Sequence, residues 1–242
     1  MKNEAVNDEV KLSARLNAVA DLVGTCRGIA DIGSDHAYLP VWLIQHEKIS
    51  FAVAGEVQPG PFEAARQTIC DAALQERITA RMGDGLQVVY PGEVAAVVLA
   101  GMGWATIRGI LERSPDVLSL LDRLVFQPMT GSAGLRRWLA ENGWRLVSEE
   151  LVAEGGRLYE VLAAEPGSPE PADSLLLEIG PLLWRQRHPL LQEHLSRLII
   201  NYEKRMAAMI RSQTPEVMAR RGEHAEKIYA LKERLTWLQH VN

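Results

Sequence analysis

The sequence predicts an α/β fold, a parallel sheet of about seven strands clad in helices, followed by a C-terminal antiparallel helical hairpin. Three observations carry this. Between residues 28 and 164 short β-branched runs alternate with helical patterns, the mark of strand–helix units in one sheet. The run AAVVLAG at 95–101 is apolar on both faces, as a central parallel strand must be. Beyond residue 190 the apolar residues step by threes and fours instead.

In chain order, strands are expected at 28–33, 51–57, 78–82, 94–101, 124–127, 145–151 and 158–163, with helices near 37–47, 60–74, 104–120 and 132–142. Asn142 and Gly143 supply a helix stop. Five strand–helix units followed by two last strands make a Rossmann-like sheet, whose strand order the sequence leaves open. The stretch EPGSPEPADS, 165–174, reads as a linker separating a domain at 1–164 from one at 175–242. In the second, Leu191, Leu195, Leu198, Tyr202, Met206 and Met209 share a helix face, as do Val217, Arg221, His224, Ile228, Leu231, Leu235 and Leu238. Thr214 and Pro215 suit the start of the second helix.

Composition narrows the function classes. Hydrophobic residues make up 47% and charged residues 24%, ordinary for a water-soluble domain. No apolar run reaches the roughly 18–20 residues that span a bilayer, and the N-terminus lacks a signal-peptide core. Membrane association is therefore not expected, and a cytoplasmic setting is. Cys26 and Cys70 lack zinc-site spacing, so no metal is expected, and both read as reduced and buried. The net charge of −5 divides unevenly: residues 1–182 hold 15 Lys and Arg against 25 Asp and Glu, residues 183–242 hold 11 against 6. A basic appendage on an acidic body suits a polyanion partner, or simply a solvated helix surface.

The first strand runs into ADIGSDHAYLP, 30–40. A dinucleotide site needs a second glycine where this chain has Asp35, and a carboxylate there repels pyrophosphate. A cofactor with no phosphate, a cationic sulfonium and ribose hydroxyls is attracted instead. Asp31 and Asp35 flank the turn, Glu56 ends the second strand, Asp84 and Gly85 follow the third, and Ala100, Gly101, Met102 and Gly103 close the fourth. All lie at carboxyl ends of strands, where open α/β sheets bind ligands. Each has a plainer reading: Asp35 as a helix cap, Glu56 as a solvated loop acid, Asp84 as a turn residue, Met102 and His36 as packing. Their coincidence at four strand ends is the signal.

DIGSDHAYLP, GEVQPGPFEAA, GDGL, AGMG and FQPM, with LSARL near the N-terminus and EIGPLL later, resemble the bacterial tRNA (adenine-22-N1)-methyltransferase family along almost the whole chain. The resemblance implies a class I methyltransferase fold. It also implies S-adenosylmethionine as donor, S-adenosylhomocysteine as product, and methylation of N1 of an adenine in tRNA. By the same resemblance Asp31, Gly33, Asp35, Glu56, Asp84 and residues 100–103 line the cofactor site. Ser34, His36 and Gly85, in the same loops, are candidate cofactor-binding residues with them. Leu12 and Arg15 cover the entrance, and the helical hairpin helps hold tRNA. Where the family usually continues AGMG with glycine, this chain has Trp104, whose ring stacks on the target base, narrows the pocket and alters the substrate, or packs on the sheet at the start of a helix.

Adenine N1 carries a lone pair, so the enzyme has mainly to align it with the methyl group. Trp104, Gln127, Pro128 and Met129 are the candidates for the adenine pocket, the Gln127 amide because it both donates and accepts. No general base stands out. Asp31 is the nearest choice, though organising the turn is its simpler role. Arg185, Arg187, Arg197, Lys204, Arg205, Arg211, Arg220 and Arg221 are candidates for gripping tRNA phosphates. A methyltransferase acting on another RNA, a protein or a small molecule, and a non-catalytic cofactor-binding protein, are the alternatives.

Overall fold

The computed structural model describes residues 9–209 and 214–241. It divides into two compact units, Met1–Glu170 and Pro171–Asn242. In the first unit seven strands form one sheet in the order β3-β2-β1-β4-β5-β7-β6. They are β1 (Gly28–Ile32), β2 (Phe51–Glu56), β3 (Ile78–Met82), β4 (Ala96–Gly103), β5 (Arg123–Thr130), β6 (Trp144–Glu154) and β7 (Arg157–Pro166). The first five are parallel. β7 lies antiparallel between β5 and β6, a reversal that the hairpin at Gly155 and Gly156 permits. The order turns back between β1 and β4, and ligands of such sheets bind at the carboxyl ends of strands there.

Helices α1 (Ala14–Val23), α2 (Tyr38–Gln45) and α3 (Pro59–Asp71) supply one apolar layer; α4 (Trp104–Glu112), α5 (Pro115–Leu118) and α6 (Ser132–Glu141) supply the other. Central strands feed both. Ala96 and Val98 face the first layer and Val97 and Leu99 the second, which is why residues 95–101 read as continuously apolar. The helix expected at 104–120 is two pieces, because Pro115 cannot continue α4 and instead opens α5 at its first turn. α6 stops at Asn142, and Gly143 takes φ +76°.

α2 and α3 end in Schellman turns with Glu47 (φ +55°) and Ala73 (φ +54°) in the left-handed position that glycine usually fills. Cys26 is half-buried and Cys70 exposed on α3, which corrects the expectation that both are buried. A short side chain on an edge helix has little to cover it. Burial raises the Cys26 thiol pKa.

β7 continues to Pro166, two residues into the stretch read as linker. The second unit contains two short helices that the periodicity did not reveal, α7 (Ser174–Ile179) and α8 (Pro181–Arg185), before α9 (Leu191–Ala208) and α10 (Pro215–Val241). Asp173 caps α7 through Leu176 N. α9 and α10 pack side by side, with Tyr202 edge-on to His224 and Lys232 Nζ 2.8 Å from Glu203 Oε1. Every residue expected on the two apolar seams is buried or half-buried.

Candidate cofactor site at the carboxyl edge of the sheet

The turn after β1 is built from three left-handed residues in five, Gly33 (φ +75°), Asp35 (φ +45°) and Ala37 (φ +56°). It is anchored to β2, because the amides of Gly33 and Ser34 donate to Gly55 O at 2.8 and 3.1 Å. Ser34 Oγ donates to Asp31 Oδ2 at 2.7 Å. Glu56 Oε1 accepts from the amides of Val57 (2.8 Å) and Gln58 (3.0 Å), and its Oε2 from Asp35 N at 3.4 Å. The two acids are 5% and 8% exposed, and among the described residues no basic side chain pairs with either. Burial, reinforced by the nearby Glu56 charge against the opposing Ser34 hydrogen bond, raises the Asp31 pKa to about 6.

Asp35 does not cap α2, whose N-cap is Ala37 with no side-chain bond; its carboxylate is exposed at the rim. His36 stacks on Tyr38 with 5.1 Å between centroids, the local packing role weighed for it. Gly33 is constrained twice, by its φ and by the Met102 methyl, which a Cβ there would meet at 2.4 Å. Asp84 precedes a 3₁₀ turn (Gly85–Val88) without a side-chain bond to it, and its exposed carboxylate meets Arg113, Nη2 to Oδ2 3.0 Å. Gly85 is buried against Ile110 rather than open to a ligand.

At the end of β4 a bulge spanning Ala100 and Met102 breaks the register with β5 and leaves Gly101 exposed at φ +76° with open space around it. The amide of Gly101 donates to Gln127 Oε1 at 3.2 Å. The same oxygen accepts from Arg15 Nη1 at 2.6 Å, while Gln127 Nε2 donates to Pro128 O at 3.1 Å. Gln127 is therefore wholly buried and fully engaged, which corrects its assignment to an adenine edge; it ties three segments of the rim together. Pro128 is buried too, and of that pair only Met129 is presented. Trp104 is half-buried. Its indole sits against Gly131 and Gly134 of the α6 entry, edge-on to Trp138.

Leu12 packs on the first apolar layer, and Ser13 caps α1. Arg15 N donates to Glu154 Oε2 at 2.8 Å, a bond that with Ser13 holds the Glu154 carboxyl below its usual pKa. The Arg15 guanidinium lies over Tyr159 at 5.6 Å. Glu154 and Tyr159 escaped sequence reasoning because they approach Arg15 only through the β6–β7 hairpin. In the second unit Arg185, Arg187, Lys204, Arg205 and Arg220 are exposed, and Arg221 is half-buried on the seam. Arg197 is paired with Glu193 at 2.7 Å, and Arg211 lies outside the described residues.

A family model described as TrmK, tRNA (adenine(22)-N(1))-methyltransferase, matches residues 29–233. A tRNA (adenine(22)-N(1))-methyltransferase of Bacillus subtilis is 40% identical over 186 residues, 75% of this chain and 78% of that one. A crystal structure of the B. subtilis M1A22 tRNA methyltransferase superposes with a TM-score of 0.85 at 33% identity, covering 94% of this chain and 100% of the other. A Streptococcus pneumoniae protein, described as a putative tRNA (m1A22) methyltransferase in complex with S-adenosyl-L-methionine, gives 0.83 at 31% identity over 93% of this chain and 100% of that one.

Proposed function

Since the chain belongs to the tRNA (adenine(22)-N(1))-methyltransferase family, we propose that it methylates N1 of the adenine at position 22 of tRNA with S-adenosylmethionine as donor. The observation that carries this reading is the pair Asp31 and Glu56, two buried carboxylates without a cationic side chain beside them among the described residues. Such a pair suits a ligand that brings positive charge and hydroxyl donors, and it opposes a pyrophosphate. Glu56 Oε2 has one long backbone bond and retains lone pairs for ribose hydroxyls. Gly101 leaves the backbone at the end of β4 free of side-chain bulk, while Gly33 lets the chain turn tightly beneath the Met102 methyl.

Bound S-adenosylmethionine supplies an electrophilic methyl on sulfur, which adenine N1 takes through its lone pair as the carbon–sulfur bond breaks. N1 bears no proton to remove, so the side chains are asked for alignment rather than base catalysis; alignment of this kind is worth about 7–11 kcal/mol. Asp31 serves by holding the Ser34 turn, and Gln127 by fixing the Gly101 bulge and Arg15. The rim carboxylates also favour the cationic base that methylation leaves. N1 lies on the Watson–Crick edge, so the adenine must leave its pair to react. The basic residues of the second unit hold the tRNA, and the enzyme works in the cytoplasm. Among the described residues no helix is long and apolar enough to cross a membrane.

The test is incubation with methyl-labelled donor and unmodified tRNA, followed by mapping of the label. Label at N1 of adenine 22 is expected. Label on another base would move the substrate assignment, and donor binding without transfer to any tRNA would end it.

A further inference from the structure

α8 and the last turns of α10 bring two indoles and two guanidinium groups together. The Trp184 and Trp237 rings lie 5.3 Å apart between centroids, tilted by 35°. The Arg234 guanidinium lies 4.9 Å from the Trp184 centroid, and that of Arg187 5.3 Å from the Trp237 centroid. Trp237 is 45% exposed, and Arg187 is exposed.

Ion pairing separates these arginines from other cations of the same unit. Arg197 meets Glu193 at 2.7 Å, Lys227 meets Glu178 at 2.5 Å and Lys232 meets Glu203 at 2.8 Å. Among the described residues Arg187 and Arg234 meet no carboxylate and rest on indoles instead. A guanidinium over an aromatic face keeps its in-plane N–H donors for a further partner. Packing of α8 on α10 accounts for the contact between the two rings. It does not account for an indole left nearly half open, or for two arginines without acids in a segment already carrying 11 basic against 6 acidic residues.

We propose that Trp184, Trp237, Arg187 and Arg234 form an RNA-docking point, where an unpaired base of the tRNA stacks on the open Trp237 surface and the two guanidinium groups take flanking phosphates. Exposed indoles beside unpaired arginines are the combination that single-stranded nucleic acid uses. The proposal rests on the reading of this chain as a tRNA methyltransferase and adds to it which residues of the second unit make the contact.

The backbone at Arg187 provides a clean variant. It takes φ +50° after α8, with its own amide donating to Trp184 O and that of His188 to Leu183 O. That is the Schellman position where glycine is preferred, so Arg187→Gly removes the guanidinium while relaxing the chain. The full-length protein, Arg187→Gly with Arg234→Gln, Trp237→Ala and Trp237→Phe are compared for tRNA affinity at several salt concentrations, donor affinity, melting temperature and methyl-transfer kinetics. The arginine variant is expected to bind unmodified tRNA about tenfold more weakly, with a salt slope shallower by about 1–2. Trp237→Ala should weaken binding roughly 5- to 100-fold, and Trp237→Phe should recover most of it. Donor affinity and kcat at saturating tRNA should stay at the parent values. Should Trp237→Ala fail to fold, the arginine variant alone decides. A folded arginine variant with the parent's tRNA affinity and salt slope overturns the docking point, leaving the cluster to packing or a protein contact, while methylation by the parent still stands. A parent protein that neither binds nor methylates tRNA overturns both.

Discussion

Arg15 Nη1 donates to Gln127 Oε1 at 2.6 Å, joining two residues 112 apart in the chain. That oxygen also receives the Gly101 amide, so one buried amide fixes the start of α1, the β4 bulge and the end of β5. Gln127→Leu keeps the volume but strands two donors. A loss of about 1–3 kcal/mol of stability is expected, with weaker donor binding because Gly101 is no longer held. Gln127→Glu, which still accepts from both, should be milder. Chemical denaturation and calorimetric titration of the donor check both outcomes; unchanged donor affinity in a destabilised Gln127→Leu protein would remove the link to the site.

Asp31 should make donor binding depend on pH. Its carboxyl pKa is raised by burial from 3.8 to about 6, so between those values the native state keeps a proton that the unfolded chain has released. The resulting stabilisation is present in full below the unfolded value and is lost as pH climbs to about 6. A cationic donor favours the ionised acid, so its affinity should rise between pH 5 and 7, by at most tenfold per unit below the pKa, with proton release on binding. Asp31→Asn should flatten the profile. A flat profile in the parent protein would show that Asp31 does not sense the donor.

Much of this rim is legible in the sequence, because strand ends announce themselves. Asp31, Glu56 and Gly101 follow apolar runs directly, and their neighbourhood is set by parallel strands in register. What escaped is what depends on long-range closure. Gln127 looks like a free amide until Arg15 arrives from α1, and Trp104 looks like a stacking surface until Gly131 and Gly134 supply a slot for its ring. The α7 and α8 turns are too short to show a helical period, so Trp184 gave no hint that it would meet Trp237.

The α6 face carries a further prediction. Arg136 is buried between Glu149 of β6, Nε to Oε1 2.6 Å, and Glu160 of β7, which also accepts from Ser132 Oγ at 2.8 Å. Both carboxylates favour the charged guanidinium against the cost of burial and hold it protonated. Arg136→Met leaves Glu149 buried without its cation and should destabilise by about 3–5 kcal/mol. Restoring the balance with Glu149→Gln in the same chain should recover part of that loss, read as a non-additive cycle in urea denaturation. Additive losses would mean that the two side chains are not coupled.

Two ring contacts decide what Trp104 does. A Cβ at Gly134 would lie 2.6 Å from Trp104 Nε1, and one at Gly131 2.7 Å from Trp104 Cβ, so both glycines exist in a form that makes room for the indole. The ring also meets Trp138 edge-on at 6.5 Å, within the second apolar layer. Trp104→Gly should therefore empty a packed slot and cost about 2–4 kcal/mol, less than a full core truncation because the indole is only half-buried. Gly134→Ala should destabilise through the same contact by pushing the ring out. Turnover per folded molecule on tRNA should stay within about threefold of the parent in both, since packing contributes equally to ground and transition states. A Trp104→Gly protein that melts like the parent yet loses tenfold or more in kcat/KM for tRNA would instead place the indole against the target base.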